Sequence, residues 1–361
     1  MVLVRIREEI LSSPRFNNNR GRFGGVLVIG GANIDLRGRP KGTLIGHTSN
    51  PGKINIGSGG VGRNIAHNLA LLNVPVILIS AVGDDGEGIR ILEETGKAGV
   101  KMDQVIISEK YPTGRYLAIL DSEGEMEVAV SDMQILEEIT VDYLRSKAYL
   151  IKESKMVVVD TNIPEQSIQY VVEICNKVKV SLVVEPVSVE KAKKLRKVLD
   201  ESGRWVIDYI TPSRDELESI SGIRMDEDQD ILRAVEELKY KGTKNVIVTL
   251  GERGIYVSSA GDYGGEGESR RGRKRSRGED SDGKGWSKFI KPYAEKIIDV
   301  TGAGDALVAG LVYGVFLGYP LEMAARFGLA AAALTISSKD AVRRDLKEGL
   351  LRSRIKEGYN K

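Results

Sequence analysis

The stretch Val300-Thr301-Gly302-Ala303-Gly304-Asp305 joins a turn of small residues to the start of an apolar helix and sets an aspartate beside it. Small residues let several backbone N–H groups converge on one point, and the helix dipole adds positive potential there. Negative charge developing on a transferring phosphoryl group would be held at such a point. The carboxylate would stand ready to take the proton of an attacking hydroxyl. The pattern is short and also arises by chance, so its weight depends on what lies upstream.

Four other polar constellations precede it. Gly59-Gly60-Val61-Gly62-Arg63-Asn64 opens the helical pattern Ile65–Leu72; its glycines admit a ligand close to the backbone, and Asn64 can hydrogen-bond hydroxyls. A Gly-x-Gly-x-x-Gly fingerprint after a first strand is missing, which argues against a dinucleotide. Gly30-Gly31-Ala32-Asn33-Ile34-Asp35 ends the first strand, where Asn33 and Asp35 either meet adjacent sugar hydroxyls or cap the turn that follows. Thr249-Leu250-Gly251-Glu252-Arg253-Gly254 closes another strand with a glycine turn suited to close approach of a nucleotide, although such turns are common. In Thr211-Pro212-Ser213-Arg214-Asp215-Glu216 a helix begins after a strand, and Glu216 either favours the helix N-terminus or helps hold Mg²⁺ through water.

Continuous apolar runs of the kind buried on both faces of a sheet must position these groups. They lie at Val26–Ile29, Val76–Ile79, Met156–Val159, Leu182–Val184, Val206–Ile210 and Val246–Leu250. Helical patterns alternate with them at Ile65–Leu72, Ile89–Lys97, Gln166–Val178, Lys191–Leu199, Asp215–Ile220 and Ile231–Lys239. Such alternation predicts an α/β fold with a mostly parallel sheet covered on both faces and ligands at the strands' carboxyl ends. Lys53–Ile56 and Arg115–Leu120, the latter turning at Asp121–Gly124 into Glu125–Val130, alternate polar and apolar residues instead. They predict a small separate sheet, with strands within about 36–58 and 105–131, lying as a lid over the ligand side.

The chain has 361 residues, 41% of them hydrophobic and 29% charged, with a net charge of +2. That balance gives no reason to expect a membrane or nucleic acid as partner. One cysteine, Cys175 in an apolar helical pattern, excludes an internal disulfide framework and suits a reducing cytoplasm. With two histidines beside it, a His/Cys zinc cluster is not expected. No apolar run reaches the ~20 residues needed to span a bilayer. Residues 1–24 form a charged, Asn/Arg/Gly-rich extension, and 25–361 a single catalytic domain. Between about 260 and 288 the composition shifts to Gly, Ser, Arg, Lys, Glu and Asp, as in a disordered surface insertion. Its run Arg270–Arg275 would touch RNA only if it is more than a solvated loop.

In their order, these sites make the chain resemble the ribokinase-like (PfkB) carbohydrate and nucleoside kinases over roughly residues 26–345, and among them the pseudouridine kinases. Ser49–Lys53, Gly59–Ala66, Ser131-Asp132-Met133, Glu185-Pro186-Val187-Ser188 and Val300–Asp305 carry the resemblance. It implies a three-layer α/β/α domain with a β-sheet lid, and ATP and Mg²⁺ as cofactors. Asp305 would be the catalytic base, with Gly302, Ala303 and Gly304 as the anion hole. The substrate side would comprise Asn33, Asp35, Gly59, Gly60, Asn64, Asp132 and, from the lid, Arg115, which could equally be a solvated strand face. Ser213, Thr249, Gly251 and Gly254 would hold the nucleotide, Glu216 Mg²⁺ through water, and Asp299 with Ser337–Ala341 a monovalent cation such as K⁺. Ser213 departs from the family's usual Asn and has a shorter reach. The implied reaction moves a phosphoryl group from ATP to the 5′-hydroxyl of pseudouridine, or of another nucleoside or furanose sugar, and the resemblance is compatible with a homodimer through the lid. A non-catalytic sugar or nucleotide sensor, tied to RNA by the insertion, is the alternative from a different class.

Overall fold

A computed structural model describes residues 23–200, 206–260 and 285–359. Among them the strands are β1 (Val26–Ile29), β2 (Asn33–Pro40), β3 (Gly52–Gly59), β4 (Val76–Ile79), β5 (Ala81–Gly83), β6 (Ile106–Ser108) and β7 (Arg115–Leu120). Then follow β8 (Met126–Asp132), β9 (Met156–Asp160), β10 (Ser181–Glu185), β11 (Ile207–Ile210), β12 (Thr243–Thr249), β13 (Ile255–Ser259) and β14 (Trp286–Ile290).

The apolar runs assemble into an eight-stranded sheet of order β14-β13-β12-β11-β10-β9-β1-β4. From β4 to β12 neighbouring strands are parallel, and only β13 and β14 run antiparallel at one edge. Strand β1 shows why the run is unbroken. Val26 and Val28 enter one core with Ile65, Leu307 and Phe327, while Leu27 and Ile29 enter another with Ile168, Leu195 and Leu217. Helices Val61–Leu71, Ala303–Phe316 and Leu321–Ile336 cover the first face; Glu165–Val178, Val189–Asp200, Arg214–Ser221 and Asp228–Tyr240 cover the second. This is the expected three-layer α/β/α arrangement. Because β1 is flanked by β4 on one side and β9 on the other, the chain leaves it in both directions, and a crevice opens at its carboxyl end.

A separate four-stranded sheet, β3-β2-β7-β8, corresponds to the lid. One boundary differs from the sequence reading. Asn33 and Asp35 do not end the first strand, which stops at Ile29; they begin β2, the first lid strand. The bare backbone of Gly30 lets Asp160 close in where a side chain would collide with its carboxylate, and the chain turns out of the main sheet there.

Within the extension assigned to 1–24, Phe23 packs against the core and the Gly24 N–H donates to the Glu153 carbonyl at 2.9 Å; residues 1–22 lie outside the described residues. Of the insertion assigned to about 260–288, residues 261–284 lie outside them too. Trp286 to Lys288 belong to β14 rather than to a loop, because alternate residues of that strand, Trp286 and Ile290, reach the core. Sequence reading also passed over the small two-stranded sheet of β5 and β6, whose strands are too short to show a period. No helix among the described residues is long and apolar enough to cross a membrane.

Candidate active site

Gly302 caps the Ala303–Phe316 helix in a left-handed conformation, with φ of 78°. A side chain there would be strained and would strike the Ala341 carbonyl, so the Ser337–Ala341 stretch presses directly on this turn. Gly304, by contrast, faces open space. The helix N-terminus is therefore bare backbone, with the partial positive charge of its unpaired N–H groups directed outward. Asp305 stands in the first turn, and its Oδ2 accepts a hydrogen bond from Asn64 Nδ2 at 2.7 Å. Burial pushes its pKa up to about 7; the Asn64 hydrogen bond and the Arg63 charge pull it back, while Asp160 and Asp35 add to the rise. A carboxylate that takes up a proton near neutrality matches a general base for work near pH 7.

Asn64 belongs to the helix opened by Gly60, whose φ of 95° leaves it against the Gly31 backbone with no room for a side chain. Gly59 makes space in the same way for the Asp35 carboxylate. Asn33 Nδ2 donates to Asp35 Oδ1 at 2.7 Å. Burial raises the Asp35 pKa, against the Asn33 hydrogen bond and the charges of Arg63 and Arg37. Hydrogen bonds and close packing thus bring Asn33, Asp35, Gly59, Gly60, Asn64 and Asp305 together.

Two residues that organise this end were not singled out from the sequence. Asp160, fully buried at the end of β9, accepts at Oδ2 from the Gly31 and Gly62 N–H groups, both at 2.8 Å, and at Oδ1 from the Asn162 N–H at 2.8 Å. It ties the exit of β1 to the glycine loop. The one local signal was a carboxylate directly after a buried apolar run. Arg37, two residues beyond Asp35 on the same lid strand, donates to Asp299 Oδ2 at 2.5 Å and to Thr301 Oγ1 at 3.0 Å. The lid and the turn before Gly302 are therefore joined by a salt bridge. The Asp299 carboxylate is held below its usual pKa: partial burial would raise it, but the Thr301 hydrogen bonds and Arg37 outweigh that. Its side chain is engaged by a guanidinium, at the place where the sequence suggested a monovalent cation.

Arg115 and Asp132 are not brought to this site. They pair with each other across β7 and β8, and with Ile34 across β2, so they lie on the face of the lid opposite Asp35 and its partner Tyr116. Arg115 Nε instead donates to Glu87 Oε2 at 2.8 Å. Strand alternation decides this: positions 34 and 35 point to opposite faces, and the register carries that choice across the sheet.

A cavity of about 290 Å³ is lined by Ser213, Arg214, Asp215, Thr249, Leu250, Gly251 and Arg253, among them residues the sequence assigned to a nucleotide. An adjoining cavity of about 180 Å³, whose walls include Glu185, Thr211, Ser213, Glu216, Thr249, Gly304 and Asp305, shares Ser213 and Thr249 with it. The two form one path from Gly251 to Asp305. Gly254, with φ of 89°, turns the chain away at a point where a side chain would meet the Ile290 carbonyl.

Ser213 caps the Arg214–Ser221 helix: its Oγ accepts from the Glu216 N–H at 3.3 Å, and Glu216 Oε2 accepts from the Ser213 N–H at 2.8 Å. The helix-terminus reading of Glu216 is the one seen here, and its side chain also lines the cavity. Glu185, present in the sequence argument only as part of a stretch, lines the cavity as well and accepts from Thr211 Oγ1. Burial, then the nearby Glu216, then Asp305 push its pKa well up. Carboxylates crowded in this way fit a divalent cation, whose charge would relieve the crowding. Among the described residues no cluster of three or more His, Cys, Asp or Glu side chains forms a closed metal cage.

The family model for pfkB family carbohydrate kinases matches residues 25–347. The pseudouridine kinase of Escherichia coli (strain K12) is 36% identical over 312 residues, covering 86% of this chain and 90% of that protein. Among solved structures, a carbohydrate kinase from Agrobacterium tumefaciens superimposes with a TM-score of 0.70 at 26% identity, covering 92% of this chain and 97% of that one. The ribokinase of Arabidopsis thaliana, solved with ribose and ATP, has a TM-score of 0.72 at 24% identity over 92% of this chain and 99% of its own, which speaks for the fold. With an aspartate at the start of a glycine-capped helix, a three-layer α/β/α fold and a family match over residues 25–347, the chain belongs to the pfkB family of carbohydrate kinases.

Proposed function

We propose that this kinase uses ATP to phosphorylate the 5′-hydroxyl of a nucleoside, converting pseudouridine to pseudouridine 5′-phosphate. The observation that carries the reading is the path from Gly251 past Ser213 and Thr249 to Asp305, with Asp35 and Asn64 at its far end. A nucleotide lying along it would bring its terminal phosphate to the Gly302–Gly304 turn. The sugar would be held on Asp35, Asn33 and Asn64. Pseudouridine is the acceptor named for the relative at 36% identity.

Asp305 takes the proton of the 5′-hydroxyl as its oxygen bonds to the γ-phosphorus and the bond to the β-phosphate oxygen breaks, releasing ADP. The amides at the start of the Ala303–Phe316 helix hold charge on the phosphoryl oxygens. Mg²⁺ near Glu216 and Glu185 would neutralise phosphate charge. The Arg37 bridge keeps the lid over the acceptor and limits water as a competitor.

The test is turnover with Mg-ATP over a panel of pseudouridine, uridine, guanosine, inosine, ribose and fructose. Pseudouridine should lead in kcat/KM by at least about tenfold, a gap of about 1.4 kcal/mol in transition-state binding. Equal turnover of ribose or uridine would leave the family activity standing and remove the pseudouridine assignment.

A further inference from the structure

Arg63 is 3% exposed, and no other lysine or arginine among the described residues is so fully buried. Burying a guanidinium is costly unless its donors are used and opposite charge is near. Its donors meet neutral acceptors: Nε the Gly59 carbonyl at 3.0 Å, Nη2 the Ser58 carbonyl at 2.6 Å and Asn64 Oδ1, and Nη1 the His67 Nδ1 at 3.2 Å. Guanidinium groups only donate, so His67 Nδ1 must carry a lone pair. Burial and then the Arg63 charge hold that imidazole neutral, with its pKa lowered to about 4. The charges that favour Arg63 as a cation are Asp35, Asp305 and Glu94.

The bond to Asn64 has a consequence for Asp305. An asparagine amide has a donor end and an acceptor end. With Oδ1 claimed by Arg63, Nδ2 is the end that faces Asp305 Oδ2 at 2.7 Å. A donor in that place favours the ionised carboxylate, whereas a flipped amide would present oxygen to oxygen and favour the protonated acid. We propose that Arg63 is a positioning residue for phosphoryl transfer: buried away from the reactants, it locks the Asn64 amide in the orientation that keeps Asp305 ionised as the base. This rests on Asp305 being the base, as argued above. The other charged groups facing Asp305 are Asp35 from β2, Asp160 from β9, Glu185 from β10 and Glu216 from the Arg214–Ser221 helix. All are acidic, and Arg63 is the cation whose charge opposes theirs at Asp305.

The experiment is the pH dependence of kcat under saturating Mg-ATP and the best acceptor from the panel, for wild type, Arg63→Met, Arg63→Gln and Arg63→Lys, each checked by thermal unfolding. In the Met and Gln variants the acid limb should move up by about one pH unit, so that turnover near pH 6.5 falls roughly tenfold and mostly returns near pH 9. Arg63→Lys keeps the charge and should shift the limb by less. If the Met and Gln variants do not fold, the Lys variant still decides, because its looser hold on Asn64 must move the limb upward. Loss of turnover by the same factor at every pH, with the limb in place, is what a merely structural role produces and overturns the proposal. Asp305→Asn separates the two levels. Turnover retained in that variant removes the base assignment itself, whereas an inactive Asp305→Asn with an unmoved limb in the Arg63 variants removes only the role of Arg63.

Discussion

Asp305, the proposed base, also costs stability. Its pKa is about 7 in the folded chain against 3.8 for the free group. Between those values the folded state holds a proton that the unfolded state has released. Stability therefore falls as pH rises through this window, and above about pH 7 the full cost is carried. Asp305→Asn removes that cost. Its gain in melting temperature over wild type should be small near pH 4 and larger near pH 8, measured by thermal unfolding at the two pH values. An equal gain at both would show that the carboxylate is not desolvated in this way. The same variant should lose on the order of 10²–10⁴ in kcat with little change in nucleoside KM. Asp35→Ala should do the reverse. It leaves the Asn33 amide and the sugar hydroxyls without a charged acceptor, so nucleoside KM should rise about 10–100-fold, the worth of one or more charge-assisted hydrogen bonds. An unchanged KM in steady-state assays would take Asp35 out of sugar binding.

At the scale of elements, the anion-hole turn is defined by what surrounds it. Gly302 has a positive φ and lies against the Ala341 carbonyl, while Arg37 grips Asp299 and Thr301 just before it. Gly302→Ala must push the turn away from that carbonyl and misdirect its amides. Turnover should fall about 10²–10³-fold, the usual effect of losing one preorganised donor, while ATP affinity measured calorimetrically changes far less. Near-normal turnover would mean that the amides at this helix start do not hold the phosphoryl group. From one face of the lid strand β2, Asp35 meets Asn33 and Arg37 meets Asp299 beside the Gly302 turn.

Across the whole molecule, the opposite face of the lid is covered at Ile34 and Leu36, which pack against Ile91 and Val82, but open beyond them. The register brings Ile54 and Val128, and likewise Ile56, Leu117 and Val130, to that face, with exposures of 70%, 55%, 52%, 40% and 61% respectively. Contiguous apolar sheet of this kind is unusual on a monomer. Our reading is that a second copy of the chain packs there. Val128→Asp should convert a dimer to a monomer in analytical ultracentrifugation without lowering the melting temperature of the protomer core; a wild-type monomer at micromolar concentration would end the idea.

Periodicity and turn chemistry are local, and they were legible. Val26–Ile29, Met156–Val159 and Val246–Leu250 announced the parallel sheet, Gly302–Asp305 a glycine-capped helix start, and Gly59–Asn64 the loop that meets it. The sequence by itself determined the layer architecture and the residue types at each strand end, because burial on both faces and left-handed glycines leave a signature within a few positions. Only the tertiary structure decided who meets whom. Asn64 reaches Asp305 across 241 positions and Arg37 reaches Asp299 across 262, and neither separation carries a period. Asp160 gains its role from two backbone amides on distant glycines, and Arg115 loses the one suggested for it to strand parity. Contacts of that kind follow from packing rigid elements against one another, which no local pattern encodes.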